Sequence, residues 1–500
     1  MENISKKIRG EPLKQQAVLE SLFDNLEYIE QSFGKSYDLK IRRASVSRTE
    51  LAVVSLDGMC DQQELLLSLM QPLLSLEQRL KSGEDLMRQC IEGLSRSADQ
   101  RATESLTDAI AAIISGCAVL FIDKAKSCLI LSVQGYPTKG ISEPMTDVQE
   151  KGSHEGFTDN FKENTTLIRR RLASEKLRLI KFTLGEESRT AVILCYLQDR
   201  ADRAMIKRVE EKLKSIRLDC VSAAGNLQSF FEPRGHFFFS AVGVTERPDT
   251  FCAKLCEGRI GIICDGAPQA LLLPYLFIEY FQSLDDYLRR PFYSLFLRII
   301  KLLSFVAGVF IPGVYVAVGS FHPELFPADI VFWLASSEQQ TPFTLVTEAF
   351  IIHLIYEVVR EAGLRMPKAM GHAVSIVGAL IIGDAAVTAG LIAAPMLIIV
   401  ALSAIASAVM APLHDVISTM RLCFILIGGA LGLYGIIIGA AIIFINMCAQ
   451  EPFSVPFTAP VTPFYAQAAR DTLFRQSWQR LGRKSFLIGK IKESKGDKKA

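Results

Sequence analysis

The sequence predicts an α/β, tandem-duplicated soluble N-terminal half followed by an all-α multi-span membrane domain of four to five membrane segments, one a candidate re-entrant segment. Charged residues make up 22% of the chain, yet they are separated from long apolar runs that lie between Phe292 and Gln450. Strand-like patterns in the first half recur at a fixed spacing, which is typical of a duplicated fold. The predicted regions are an N-terminal helical extension (1–36), α/β subdomain 1 (37–136), a linker (137–156), α/β subdomain 2 (157–285), a helical transmembrane domain (286–450) and a basic tail (451–500).

Composition excludes several classes of protein. The formal net charge of +2 gives no basic field for nucleic acid. The N-terminus has no apolar signal-peptide core, so we expect the N-terminal half to stay in the cytoplasm. The eleven cysteines contain no CxxC pair, and Cys252 and Cys256 lack two further metal ligands at a recognisable spacing. We therefore expect reduced, mostly buried thiols and no metal site.

The soluble half carries an internal repeat. The segment Gly116–Asp123 resembles Gly258–Asp265 at an offset of 142 residues (258 minus 116). Leu51–Asp57 matches Ile193–Asp199 at the same offset (193 minus 51). Each unit reads as two strands, a helix after the aspartate and then a hairpin, which predicts two similar α/β subdomains.

One basic segment of this half is a candidate binding surface. Asn164–Arg171 ends in three consecutive arginines that could bind an anion or the carboxylates of another subunit, namely Arg169, Arg170 and Arg171. The alternative is a helix start whose arginines are solvated or pair within the chain. Gly34-Lys35-Ser36 resembles the end of a phosphate loop, but position 29 is Ile29 rather than glycine. With no catalytic or cofactor-binding motif found, the sequence predicts neither an enzyme nor a cofactor.

The apolar runs of the second half predict the membrane segments. An uncharged run of about 20 residues spans the hydrocarbon core as a helix. Four strong candidates are Leu302–Phe321, 372–393, 396–413 and Leu422–Gln450, with Pro395 between the second and third. A fifth candidate, Pro342–Arg360, is interrupted by Glu348, His353 and Glu357.

Lysine and arginine positions predict the orientation of these segments. Arg298 and Lys301 place the start of the first span inside, and Arg360 places the end of the fifth candidate inside. Arg421 is inside as well if the candidate helices 372–393 and 396–413 form a hairpin. The last span then leaves the basic tail outside, although basic segments prefer the cytoplasm. One segment is therefore expected to be re-entrant or interfacial, and Pro342–Arg360 is the favoured one.

Ionisable residues within the apolar runs are candidates for an ion pathway. Asp384 lies near the middle of its span, and Thr388 falls four residues later on the same helical face. Glu348 and Glu357 extend this candidate set. The alternative for Asp384 is a buried carboxylate that only fixes helix packing. His353 and Glu357 are four residues apart and are predicted to pair with each other.

The last span contains a candidate helix–helix interface. Its members have no side chains, so another helix can approach closely: Gly428, Gly432, Gly435 and Gly439. Offsets of 4, 7 and 11 place them on one stripe of a continuous helix. A subunit interface and packing within one chain both fit this pattern.

Several segments together resemble the A subunit of GerA-type spore germinant receptors over nearly the whole chain. The matching stretches are Phe33–Ser36, Asn164–Arg171, Thr245–Asp249, His322–Leu325, Arg360–Pro367, Ile382–Val387 and Ala404–Ser407. The chain departs from the family pattern at Met410–Asp415 and matches it more loosely at Glu451–Phe457.

The resemblance implies a place in a receptor of the spore inner membrane. Such A subunits work with a transporter-like B subunit that binds the nutrient and with a lipoprotein C subunit. They are expected to form a homo-oligomeric ring, with five as the expected number, and to conduct ions when nutrient binds. On this basis Asp384 and Thr388 would face the pore, and the soluble half would form a cytoplasmic collar. Membrane lipid is an implied partner, and nucleic acid is not.

Two other classes compete with a nutrient-gated channel subunit. A non-conducting assembly or signalling paralogue of the germination machinery is the main alternative. A secondary transporter is disfavoured, because transporters commonly repeat their membrane helices whereas here the repeat lies in the soluble half.

Overall fold

A computed structural model of the protein describes most of the chain. The described residues are 16–34, 36–46, 49–74, 82–94, 100–135, 144, 151–233, 235–366, 383–464 and 471–472.

The first α/β subdomain is a five-stranded antiparallel sheet with helices on both faces. Its strands are β1 Leu39–Val46, β2 Thr49–Leu56, β3 Gln100–Thr103, β4 Ala118–Ile122 and β5 Cys128–Leu131. Its helices are α1 Leu22–Phe33, α2 Gln62–Leu65, α3 Gln71–Leu74, α4 Gly83–Gln89 and α5 Leu106–Ile114, with π-helical turns at Leu66–Met70 and Cys90–Leu94. Every residue of β4 is buried, because α1 and α5 cover one face of the sheet and α2 to α4 cover the other.

The second α/β subdomain repeats this arrangement. Its strands are β6 Leu177–Leu184, β7 Thr190–Leu197, β8 Gly243–Thr245, β9 Ile260–Cys264 and β10 Ala270–Leu273. Its helices are α6 Phe161–Arg171, α7 Arg203–Ser215, α8 Ala224–Phe231 and α9 Pro248–Cys256. The strand orders are β1-β2-β4-β5-β3 and β6-β7-β9-β10-β8, so equivalent strands hold equivalent places. The predicted α/β class of this half, with two sheets, is confirmed.

The helical half forms a second compact unit, which runs from Tyr275 and also takes in Pro233–Ala241. Its helices are α10 Leu284–Leu288, α11 Pro291–Phe321, α12 Ala328–Glu338, α13 Leu345–Arg365, α14 (383–388), α15 Ala394–Val409 and α16 His414–Ala449. Two helices among the described residues are long and apolar enough to cross a bilayer, Pro291–Phe321 and Ala411–Ala449. Half of the predicted span 372–393, namely 372–382, lies outside the described residues.

The last apolar run is not one continuous helix, contrary to the prediction for Leu422–Gln450. Gly432 has φ +62° and ψ −154°, a conformation that essentially only glycine adopts. A Cβ on Gly439 would lie 2.7 Å from the ring of Phe424, whereas 15 residues of straight helix would separate them by about 22 Å. The chain therefore turns back at Gly432, and α16 consists of two antiparallel helices, α16a (414–431) and α16b (433–449).

This reversal returns the chain to the end of the bundle where α11 begins. We call that end the base and the opposite end, at Phe321 and Gly432, the top. The ring of Phe321 lies against Gly432 at the top, 3.2 Å from where a Cβ on that glycine would lie, and Met447 packs near Phe305 toward the base. Helices α11 and α16a thus rise in parallel, and α16b descends between them and the tail.

Buried charges fix the base. The guanidinium of Arg298 donates to the carboxylate of Asp286 at 3.3 Å and to the backbone oxygens of Asp471 and Thr472 at 2.9 and 2.6 Å. Asp286 and Arg298 are fully buried. The tail segment at 471–472 therefore lies at the same end of this unit as the start of α11. A fold-back among the described residues lies at Gly432, and the re-entrant role of Pro342–Arg360 stays a prediction.

Candidate functional site

Asp384 and Thr388 lie together on an exposed face of the bundle. Both occupy the short helix α14, where an offset of four places them on one side. The opposite side of α14 is buried, with Ala386 in the core, and a Cβ on Gly383 would lie 3.4 Å from the side chain of Leu397. The structure thus places an exposed carboxylate and hydroxyl side by side in an apolar unit, whereas the alternative interpretation held Asp384 to be buried. A role of Asp384 in an ion pathway stays a prediction.

Glu348 lies inside the bundle and caps another helix. Its side chain is 1% exposed, and one carboxylate oxygen accepts the N–H of Ala393 at the start of α15. Ala393 is the N-cap residue of α15 and has no side-chain oxygen, so it cannot cap the helix. The carboxylate of Glu348 on α13 accepts the N–H of Ala393 instead. The other oxygen of Glu348, Oε2, has no hydrogen-bond partner among the described residues.

Glu357 is partly buried nearer the base. It accepts hydrogen bonds from the hydroxyl of Ser418 on α16a and from Nε of Arg360 at 3.2 Å. Its hydrogen bonds therefore do not go to His353, whose Nδ1 has no partner among the described residues, and the predicted pair between His353 and Glu357 is not formed. Glu348 and Glu357 lie on one helix but serve separate contacts, nine residues apart.

Arg421 is a central polar residue of the bundle that the sequence placed in a loop. It is 0% exposed, and its Nε donates to the carbonyl of Gly308 on α11 at 2.8 Å. That carbonyl is free because Pro312, four residues later, has no N–H to give it. Nη2 of Arg421 donates to the carbonyl of Ser403 on α15 at 3.0 Å, and the guanidinium lies 6.0 Å from the ring of Tyr356 on α13. One arginine thus joins four helices.

The four glycines make close contacts inside the chain. A Cβ on Gly428 would lie 2.4 Å from the carbonyl oxygen of Gly313, so α11 and α16a approach through two glycines. Gly439 receives the ring of Phe424, and Gly432 forms the turn. The prediction of one continuous glycine stripe is wrong, because Gly432 interrupts the helix. A subunit interface at these glycines stays a prediction.

Arg169 closes a joint between the two α/β subdomains. Its Nε and Nη2 donate to both carboxylate oxygens of Asp38 at 2.7 and 3.2 Å, and the two side chains are 1% and 2% exposed. Nη2 also donates to Ser36 Oγ at 3.1 Å and to the carbonyl of Leu177 at 3.2 Å. This arginine pairs within the chain, as the alternative interpretation of the arginine run held.

Backbone contacts extend the same joint. The N–H of Tyr37 donates to the carbonyl of Leu179 at 3.0 Å, and the N–H of Leu179 donates to Ser36 Oγ at 3.1 Å. The hydroxyls of Tyr37 and Thr165 lie 2.9 Å apart. The segment that resembles a phosphate loop therefore lies against Asn164–Arg171, and Ser36 serves the joint.

Arg170 and Arg171 lie at the surface and share one carboxylate. Both bond to Glu155, and Arg171 also donates to Ser153 Oγ at 2.7 Å. Burial by itself raises the pKa of Glu155, but the hydrogen bonds and charges of Arg170 and Arg171 outweigh it and lower that pKa below its usual value. Their contact with another subunit stays a prediction.

Sequence reasoning missed the partners of these groups. Asp38, Asp286 and Arg421 are each buried and charged, yet none stands in a recognisable motif. A signal was available only for Arg421: a proline in the first span implies a free carbonyl, and a buried donor elsewhere in the bundle is needed to satisfy it.

The chain thus combines a charged, duplicated α/β half with an apolar helical unit that contains two stretches long and apolar enough to cross a membrane. The model of the Bacillus/Clostridium GerA spore germination protein family matches residues 27–486. The chain therefore belongs to this family, as the sequence predicted, and its role lies in spore germination.

The chain is similar to individual proteins along most of its length. It is 35% identical to spore germination protein KA of Bacillus subtilis (strain 168) over 92% of this chain and 85% of that protein. It is 36% identical to an uncharacterized membrane protein, YfkQ, of the same organism, over 79% of this chain and 77% of that protein. The crystal structure of the N-terminal domain of the A subunit of the Bacillus megaterium spore germinant receptor GerK3 matches with a TM-score of 0.41 and 23% identity, over 53% of this chain and 98% of that one.

Proposed function

We propose that this protein is the A subunit of a nutrient germinant receptor in the spore inner membrane. In this proposal the chain assembles into a homo-oligomeric ring, with five copies expected, and forms an ion channel that opens when nutrient binds. It catalyses no reaction of its own. Family membership supports the role in germination, and the arrangement of the bundle supports the channel.

The observation that carries the channel proposal is the exposure of Asp384 beside Thr388. A carboxylate facing lipid hydrocarbon costs several kcal/mol, so such residues face water or protein. The surrounding unit is apolar and exposes large side chains that suit lipid, including Ile398, Ile405 and Ile437. A second copy of the chain that covers the face of α14 would remove Asp384 from lipid and enclose a polar path between subunits.

The bundle also supports the proposed membrane topology. Helix α11 rises from base to top. Helix α13 descends, since Gly319 and Leu345 meet at the top whereas Arg360 lies 3.9 Å from Asp415 nearer the base. With α15 descending and α16a and α16b forming a hairpin, the tail joins Arg298 at the base. We assign the base to the cytoplasmic side, together with the N-terminal half, because the basic residues gather there.

The proposed partners follow from the same role. A transporter-like B subunit would bind the nutrient, and a lipoprotein C subunit would join on the outer side. Arg170 and Arg171 are the proposed subunit contacts of the soluble half, since both side chains reach the surface.

Reconstitution tests this proposal. The protein is purified with its candidate B and C subunits, incorporated into liposomes, and assayed for nutrient-dependent ionic current. The wild-type complex should conduct, and Asp384→Asn should lower the current or change its cation selectivity. Asp329→Asn is the matched control. Asp329 is exposed on α12, and this variant makes the same change of charge elsewhere in the unit. Absence of current in every nutrient would refute the channel and favour a non-conducting paralogue, whereas equal effects of both variants would remove Asp384 from the pore.

A further inference from the structure

A polar seam runs between α13 and α16a, and its deep end is short of partners. The seam starts near the base, where Arg360 faces Asp415, and continues through the bond from Ser418 to Glu357. It ends at Arg421 and His353, both buried. The outer residues of the seam pair with one another, whereas the two inner residues each have a nitrogen without a hydrogen-bond partner among the described residues.

Arg421 is a buried cation without a carboxylate. Its Nε and Nη2 donate to carbonyl oxygens, but Nη1 has no hydrogen-bond partner among the described residues. Among the described residues Arg421 forms no ion pair, since the carboxylate of Glu357 bonds to Ser418 and Arg360 instead. A buried guanidinium with one unmet N–H and no counter-charge carries a large desolvation cost, and a negative ligand would offset it.

His353 brings a second unmet nitrogen to the same place. Its side chain is 2% exposed, and its Nδ1 has no hydrogen-bond partner in the part of the chain that the structure describes. The imidazole stacks on the ring of Tyr356 with centroids 6.5 Å apart, and the guanidinium of Arg421 lies 6.0 Å from that same ring. The imidazole and the guanidinium therefore both lie beside one aromatic ring, and each has a nitrogen without a hydrogen-bond partner among the described residues.

We propose that Arg421 and His353 bind a small monovalent anion, of the chloride class, at the deep end of this seam. Nη1 of Arg421 donates to the ion and supplies the counter-charge, and the Nδ1–H tautomer of His353 donates the second hydrogen bond. Two donors suit a monatomic anion, which has no further oxygen atoms that would need donors of their own. Since α11, α13, α15 and α16a meet at Arg421, the bound anion would stabilise the packing of the helices around it. This site is separate from the exposed face of Asp384 and does not depend on conduction.

The experiment uses the full-length protein in detergent micelles and chloride as the probe. Chloride replaces gluconate at constant ionic strength while chlorine NMR line broadening reports bound ion and thermal unfolding reports stability. The wild type should show saturable broadening and a rise in Tm. His353→Ala should weaken the apparent chloride affinity about tenfold or more, as the loss of a charge-assisted hydrogen bond does. Arg421→Gln should abolish saturable binding.

Two comparisons keep this test decisive. Arg365→Gln removes the same charge from the exposed end of α13 and should leave chloride binding unchanged. If Arg421→Gln does not fold, His353→Ala alone decides the question, because it removes a donor without removing a charge. Absence of saturable broadening in the wild type would show that water alone fills the site and would overturn the proposal. Equal affinities for wild type and His353→Ala would show that chloride binds without His353 and would overturn it as well.

Discussion

Removing the charge of Asp38 should loosen the joint between the two α/β subdomains. Asp38→Asn keeps the size of the side chain but leaves the guanidinium of Arg169 buried without its counter-ion. The pair is almost fully buried and bidentate, at 2.7 and 3.2 Å, so solvent screening does not discount it. Breaking a buried pair by removing one partner costs about 3 to 5 kcal/mol. That cost corresponds to an increase of between about 100-fold and 3,000-fold in the population of the opened joint.

Hydrogen exchange with mass spectrometry on the full-length protein in micelles measures this opening. The reporters are the N–H groups of Tyr37 and Leu179, which bond across the joint. Both should exchange faster in Asp38→Asn, whereas peptides of the helical bundle should keep their wild-type rates, because the opening is local.

Two further variants make the result specific. Asp199→Asn is the matched control, since Asp199 pairs with Lys176 at 3.1 Å but both side chains are almost half exposed. An exposed pair contributes about 0 to 1 kcal/mol, so exchange at the joint should not change. The double variant Asp38→Leu with Arg169→Met should recover much of the protection, because it removes both buried charges. Exchange rates for Asp38→Asn within about threefold of those for Asp199→Asn would refute the role assigned to this pair, since the expected change is far larger.

Two other predictions follow from the backbone and the thiols. Gly432→Ala should lower the Tm of the micellar protein, because a residue with a side chain at φ +62° and ψ −154° costs about 1 to 3 kcal/mol. Gly225→Ala in α8 should not lower the Tm, because no atom lies within 4 Å of its Cβ position and a helix favours alanine over glycine. Equal Tm values for the two variants would contradict the turn. Burial raises the pKa of Cys128 to about 12, so about one Cys128 thiol in ten thousand is ionised at pH 8. A charged maleimide should therefore label the exposed Cys220 and leave Cys128 unlabelled until the protein is denatured. Labelling of Cys128 within about tenfold of the rate of Cys220 would show that this core opens readily.

The proposed channel and the proposed anion site make different demands on the bundle. Conduction needs a face of the chain that is polar and open, and Asp384 with Thr388 provides one. Anion binding needs a closed position with unmet donors, and Arg421 with His353 provides that. The two sites lie on different helices, so variants at one can be compared directly with variants at the other.

The sequence by itself determined the two halves, the duplication and the family. Alternating apolar residues and the 142-residue offset predicted two equivalent sheets, because strand patterning and turn residues are local properties of the chain. The helical half was predicted in the same way, from uncharged runs whose lengths match the membrane. Asp384 was also within reach, since an aspartate in such a run is unusual whatever its surroundings.

Only the tertiary structure decided how these pieces meet. Helical periodicity placed the four glycines on one stripe, because it assumes a continuous straight helix. Gly432 has a positive φ, which breaks the helix at that residue. Arg169 and Asp38 lie 131 residues apart, and no local pattern in a single sequence specifies a partner at that distance. Arg421 stands next to the start of a predicted span in the sequence. In the structure it is buried, and it donates to the carbonyl of Gly308, which Pro312 leaves without a helical partner. The sequence thus specifies which groups need partners, and the packing of distant segments decides which partners they receive.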